Sequence, residues 1–291
     1  MKRSIVLLVA SLLVAAAPAS ANFLEVETGA RAMGMGGAFV AVADDVTALH
    51  WNPAGLADLD GFQLFGMRTS VYTVEGLSED SAMAGYGTGC RGFGAGWMRT
   101  GAEDLYSEDT ILVGYGQRLP IDGLRAGFSI KRFSLDAPGY EYYDDPAYSG
   151  DGDDAYSGDV GLLYHRGQWT YAATYRNIGE PELQLLDTTE SPDKVTSELR
   201  LGASYLFREV MLMTAEWRVP NEVPSYYEDE TSLNIGTEIW FYDVFALRAG
   251  MNRDRITAGL GIKADHVRLD VALLSERRIR SLYRLSAVFA W

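Results

Sequence analysis

The sequence predicts an all-β protein, a transmembrane antiparallel β-barrel of about 14 strands with a small N-terminal hatch in its lumen. Three observations predict it: an export signal, period-two alternation repeated along the chain, and connections that alternate between short and long.

Residues 1–21 have the form of a signal peptide. Met1-Lys2-Arg3 precedes an apolar run from Ile5 to Ala17, and Pro18 with Ala19-Ser20-Ala21 supplies an A-x-A-like cleavage site, so the mature chain is expected to begin at Asn22. That run is shorter than the roughly 20 residues of a spanning helix, and no later one reaches that length, which argues against a helical membrane protein. No Cys follows the cleavage site, which argues against a lipoprotein. Losing Lys2 and Arg3 leaves the mature chain more acidic than the full-length net charge of -15. Such a surface repels phosphate backbones and argues against nucleic acid as a partner. Cys90 is the only cysteine, so no intramolecular disulfide can form, and it reads as a turn or strand residue.

The alternation is clearest from Arg255 to Ala264, where Ile256, Ala258, Leu260 and Ile262 share one face. Thr257, Gly259, Gly261 and Lys263 share the other. Leu269 and Val271 oppose Arg268 and Asp270, Leu247 opposes Arg248, Leu199 and Leu201 oppose Arg200 and Gly202, and Trp169 and Tyr171 oppose Thr170. A soluble sandwich would carry most of its charge on the polar face. Here that face is small, rich in Gly, Ser and Thr with single charged residues, which suits a crowded lumen behind a lipid-facing apolar wall.

The predicted strands are 62–73, 80–89, 92–100, 109–118, 123–134, 155–165, 168–178, 196–206, 209–219, 231–241, 244–251, 255–264, 266–274 and 282–291. Every second connection is short: Cys90-Arg91, Leu119 to Asp122, Arg166-Gly167, Phe207-Arg208, Tyr242-Asp243 and Asp265. The others are mostly longer, including Asp136 to Asp154, Gly179 to Val195 and Pro220 to Glu230. Short periplasmic turns and longer external loops are the habit of outer-membrane barrels, and this assignment places both termini in the periplasm. In the last strand Tyr283, Leu285, Ala287, Phe289 and Trp291 share one face and the chain ends on an aromatic. This resembles the C-terminal signal read by the bacterial barrel-assembly machinery, an expected partner along with outer-membrane lipid.

The barrel is thus expected at 62–291 and a separate hatch or plug at 22–61, where no period-two face exists. Gly29, Gly34, Gly36 and Gly37 permit close backbone approach, and Asp44 or Asp45 could cap a short helix ended by Pro53. The segment is small and apolar and needs burial, for which the lumen is the available space. Gly29-Ala30-Arg31-Ala32, Gly34-Met35-Gly36-Gly37-Ala38, Asp44-Asp45 and Asn52-Pro53-Ala54-Gly55 resemble the N-terminal signature of the PorV/PorQ-like proteins, which belong with the FadL-like long-chain fatty acid transporters. Arg176-Asn177-Ile178-Gly179 is similar to a recurrent element of these barrels. The resemblance implies a 14-stranded barrel plugged by an N-terminal hatch, in which Asn52, Pro53 and Ala54 hold a bend and are not catalytic. It also implies one of two functions: transport of an apolar or amphipathic small-molecule ligand, or partnership with a secretion-system protein.

Other chemistry finds little support in the sequence. Gly34-Met35-Gly36-Gly37 lacks both G-x-G-x-x-G and a Walker lysine. The acidic run Asp151, Asp153, Asp154 and Asp159 lacks the EF-hand glycine and terminal Glu, and reads as a solvated loop. His50, His165 and His266 have no metal-ligand spacing, and neither His165 nor His266 falls beside a Ser on the lipid-facing wall. Neither a cofactor nor an enzymatic activity is expected.

Overall fold

The computed structural model describes residues 27–70, 76–102, 105–138, 152–185, 192–222, 231–275 and 282–291. The expected signal peptide, residues 22–26 of the expected hatch, and most of the acidic stretch from Asp136 to Asp154 lie outside the described residues.

The strands are β1 (Asp60–Ser70), β2 (Leu77–Thr88), β3 (Arg91–Ala102), β4 (Tyr106–Arg118), β5 (Leu124–Asp136), β6 (Asp153–Arg166), β7 (Trp169–Arg176) and the short β8 (Glu182–Leu183) and β9 (Asp193–Lys194). They continue as β10 (Glu198–Phe207), β11 (Met211–Pro220), β12 (Ser232–Phe241), β13 (Phe245–Asn252), β14 (Arg255–Ala264), β15 (Val267–Leu274) and β16 (Leu282–Ala290). All but β8 and β9 form one closed antiparallel barrel of 14 strands in chain order, with β7 beside β10. The seam is β1 on β16, in register from Gln63 opposite Ala290 to Arg68 opposite Leu285.

One end of the barrel carries short turns, several of which need left-handed backbone: Gly167 (φ 62°), the pair Arg208-Glu209 (φ 50° and 61°) and the pair Tyr242-Asp243 (φ 54° and 55°). This turn end holds Cys90, which is exposed, and the two chain ends of the barrel, where Phe62 N donates to Trp291 O at 3.0 Å and Trp291 N to Phe62 O at 2.9 Å. The opposite loop end carries the longer connections.

The alternation read from the sequence sorts side chains as expected. In β14 Ile256, Leu260 and Ile262 are exposed on the outer wall while Thr257, Gly259 and Gly261 are buried inside. Phe62, Tyr86, Phe93, Trp169, Phe245 and Trp291 form an outward aromatic girdle at the turn end. Near the loop end Tyr156, Tyr175, Trp217 and Tyr283 are also outward and exposed. On β1 to β4 the outer wall turns from apolar to charged at one cross-strand row, where Arg68 faces Asp80, Asp80 faces Arg99 and Arg99 faces Asp109. Charge on the outer face of a membrane barrel is costly at mid-bilayer and cheap near the interface, so a bilayer around this wall would end at this row.

The β8–β9 sheet is absent from the sequence reading, since two-residue strands leave no periodicity to detect. It folds over the loop end, burying Leu183 and Val195 against Phe133, Leu135 and Ala155. Lys194 holds it through Glu180 at 2.7 Å and Glu222 at 2.9 Å. Hydrogen bonds from Lys194, Ser197 and Asn221 draw the Glu180 carboxyl down to about 2.

Candidate functional site: the luminal segment

Residues 28–59 are buried almost throughout and touch inward faces all around the barrel. β1 begins at Asp60, two residues earlier than predicted. The segment contains two short helices, α1 (Ala30–Gly34) and α2 (Ala48–Trp51), and a 3-10 helix, Pro53–Asp58. Its own apolar side chains, Met35, Phe39, Leu49, Trp51 and Leu56, form one core with Phe65, Met83, Met98 and Leu112 of the wall. Trp51, fully buried, stabilises this core by roughly 3 kcal/mol and donates from Nε1 to Thr28 O at 3.0 Å.

Of the glycines singled out in the sequence, Gly34, Gly36 and Gly37 sit where a side chain would crowd its neighbours, whereas Gly29 is required by its left-handed backbone, φ +95°, with open space around it. A Cβ on Gly34 would lie 3.0 Å from Gly259 Cα, and one on Gly37 would lie 2.8 Å from a Glu27 carboxylate oxygen. Gly36, at φ +68°, would place a Cβ 2.5 Å from Ile235 O. Asn52 is the hub of the next bend: its Nδ2 donates to Val40 O at 3.0 Å and to Leu162 O of β6 at 3.1 Å, while its Oδ1 accepts from Ala54 N at 3.1 Å. Pro53 starts the 3-10 helix, and Ala54 packs with Val40, Ala41, Leu163 and Ala172.

Asp44 and Asp45 differ in role. Asp45 is buried; its Oδ1 accepts from Thr47 N at 2.9 Å, opening the turn into α2, and its Oδ2 accepts from Arg268 at 2.5 Å. Asp44 pairs with Arg31 and leaves its side chain 52% exposed to a polar cavity of about 550 Å³ at the turn end. It caps no helix; the N-cap position of α2 is Thr47, which makes no side-chain cap.

A lattice of buried charge ties this segment to the wall. Arg31 donates twice to Glu238, at 2.8 Å each, and Glu238 also accepts from Arg248 at 2.6 Å. Arg248 lies 2.8 Å from Asp270, which pairs in turn with Arg268 at 2.9 Å. Across the lumen Glu216 accepts from Phe39 N at 2.9 Å and Val40 N at 3.1 Å, and lies 3.4 Å from Arg200. Arg200, Arg176 and Arg218 converge on Glu198 at 2.5, 3.2 and 3.0 Å. Single charges on the small inward face are legible in the sequence, and Glu198 with Arg200 and Arg268 with Asp270 share a strand face, but the partners that tie the segment to the wall lie far along the chain.

At the turn end the segment leaves the lumen through Asp58, which accepts from Arg118 at 2.9 Å and Arg125 at 2.9 Å, with His165 at 3.4 Å. Partial burial opposes its ionisation, but the neighbouring His165 imidazole, the hydrogen bonds from Arg118 and the Arg125 charge outweigh that and hold the carboxyl at about 2.

The remaining sequence candidates are dispersed. Tyr283, Leu285 and Phe289 face outward on β16, and Phe289 stacks with Trp291 at 6.2 Å. Asn177, from the Arg176-to-Gly179 string, accepts from Lys131 at 2.9 Å and donates to Thr196 O at 3.1 Å, anchoring the cap over the loop end. Of the acidic run read as solvated, Asp154 is exposed and pairs with Arg132, whereas Asp159 is buried in β6 and pairs with Lys131. No His/Cys/Asp/Glu group that could hold a metal ion occurs among the described residues.

No family model and no curated protein matches the chain. Solved structures do. The CymD monoaromatic hydrocarbon channel aligns at TM-score 0.66 and 12% identity over 93% of this chain and 99% of its own. The toluene transporter TodX of Pseudomonas putida aligns at 0.61 and 16%, covering 90% and 96%. A FadL homologue of Pseudomonas aeruginosa aligns at 0.59 and 12%, covering 93% and 100%. The chain therefore has the fold of the FadL-type barrels.

Proposed function

We propose that this protein is an outer-membrane channel for apolar or amphipathic small molecules, with residues 27–59 as its hatch and both termini in the periplasm. The observation that carries the reading is the segment itself, which fills the bore of a FadL-type barrel by way of Asn52, Pro53 and the Arg31 ion pairs. Solved structures of the same fold are a monoaromatic hydrocarbon channel and a toluene transporter, which supports apolar cargo and a non-enzymatic role. Tyr283, Leu285, Phe289 and Trp291 serve the barrel-assembly machinery in this reading.

The test is uptake of labelled toluene by cells producing the protein and by cells lacking it. Production is expected to raise the uptake rate, and Pro53→Gly, which loosens the hatch bend, to change it. Equal rates in all three strains would sink the proposal.

A second reading is a PorV-like barrel that partners a secretion or surface-attachment system without transporting. It is favoured by the charge lattice locking the segment in place and by the β8–β9 sheet over the loop end. Photo-crosslinkers at Glu182 and Gln184, both exposed on that cap, would capture a secretion partner. Recovery of the assembly machinery alone would count against it.

A further inference from the structure

The outer wall carries a notch at the barrel seam. Its volume is about 650 Å³, within the roughly 300–1,000 Å³ of small-molecule sites, and it spans from Trp97 on β3 to Leu269 on β15. The floor is Gly66, an outward-facing glycine whose Cβ would meet nothing within 4 Å. Its register partners are small too, Ala82 on β2 and Ala287 on β16. Trp97, Leu269 and Leu285 form the apolar walls.

Arg68 stands at the rim, two residues nearer the loop end and on the charged row where a bilayer around this wall would end. Three outward arginines belong to this upper wall, and they are not equally engaged. Arg132 holds Asp154 through two hydrogen bonds, at 2.6 and 3.2 Å. Arg99 lies 3.9 Å from Asp109, whose other oxygen takes the Trp97 indole N–H at 2.7 Å. Arg68 is 77% exposed, and its carboxylate partner Asp80 lies 3.6 Å away, beyond hydrogen-bond range. Among the described residues no group makes a hydrogen bond with this guanidinium, and a cation so placed above an apolar slot matches a phosphate carried on an acyl chain.

We propose that this seam notch is a binding site for a phosphate-bearing membrane lipid, with one acyl chain lying over Gly66 and the phosphate against Arg68. The site belongs to the outer wall and stands whether or not the lumen transports. Asp80 shares the Arg68 guanidinium with the phosphate and therefore weakens the site.

The test is native mass spectrometry of the detergent-solubilised barrel incubated with phosphatidylglycerol, with dioleoylglycerol, or with inorganic phosphate. One phosphatidylglycerol is expected to remain bound to the wild type, with neither of the other two retained. Arg68→Gln and Gly66→Leu are each expected to lower its occupancy about tenfold, Asp80→Asn to raise it, and Arg132→Gln to leave it unchanged. Gly66→Leu fills the slot at a position with open space, so the barrel folds in that variant. Equal occupancy in wild type and Arg68→Gln, retention of dioleoylglycerol, or capture of phosphate without a lipid would each overturn the assignment.

Discussion

The luminal segment is held by two kinds of wall. Against β2 to β6 the contact is backbone on backbone: a Cβ on Gly116 would lie 2.5 Å from Pro53 O, and one on Gly127 would lie 2.3 Å from Pro53 C and O. Gly92 is equally tight against Leu56 O, at 2.1 Å. Against β10 to β16 backbone also comes close, with a Cβ on Gly236 only 2.2 Å from Met35 O, but here long charged side chains, Glu216, Glu238 and Arg268, reach in as well, to Phe39, Arg31 and Asp45. The first wall leaves no room for a Cβ at Gly92, Gly116 and Gly127, while the charged side chains of the second specify which groups may face it. The glycine wall sets how close residues 52–59 come, and the charged wall fixes the register of residues 31–45.

The largest effect is expected on the charged wall. Glu238→Leu leaves Arg31 without two hydrogen bonds and Arg248 without one in a buried setting, and is expected to destabilise the folded barrel by about 3 kcal/mol. Unfolding of the protein in lipid vesicles by denaturant measures this. The paired change Glu238→Leu with Arg248→Met removes one of the stranded cations and is expected to recover part of the loss. If the single and paired variants are equally unstable, the ion pairs do not set the docking and the contrast between the walls is wrong.

On the glycine wall Gly127→Ala is the smallest possible intrusion, a single methyl directed at the Pro53 carbonyl carbon. Backbone cannot give way as a flexible side chain can, so a loss of roughly 1–3 kcal/mol is expected, with the 3-10 helix Pro53–Asp58 displaced. Limited proteolysis between Ala54 and Asp58 reads the displacement. Resistance equal to the wild type would show that the contact has slack.

The difference between the walls also decides what the sequence could reveal. Strand number, the two faces of β14 and the sites of the short turns are local patterns, and they were legible. Arg200 and Arg248 could be assigned inward by alternation, because each has outward apolar neighbours, yet their partners Glu216 and Asp270 lie 16 and 22 residues away and no spacing rule joins them. Gly116 and Gly127 read only as small inward residues, since a close approach belongs to two chain segments and neither one shows it alone. The β8–β9 cap was missed for a third reason: its stability comes from Leu183 and Val195 packing on Phe133 and Leu135, and its strands are too short to carry a pattern.

The smallest effect is expected where the two walls give way to the turn end, at Asp58. Its carboxyl is ionised down to about pH 2 in the folded protein, against about 3.9 for an unfolded aspartate. The folded state therefore gains from Asp58 at every pH above about 4, and that gain disappears as pH falls from about 4 through about 2. Arg118 and His165 are both partly open to solvent, so screening reduces the contribution to about 1 kcal/mol. Asp58→Asn is expected to lower stability by that amount at pH 7 and by almost nothing at pH 2, so the wild-type and variant curves of unfolding midpoint against pH should converge in acid. Curves that stay parallel to pH 2 would mean that Asp58 holds the segment by shape and hydrogen bonding alone, making the turn end an extension of the glycine wall and leaving charge to act only across β10 to β16.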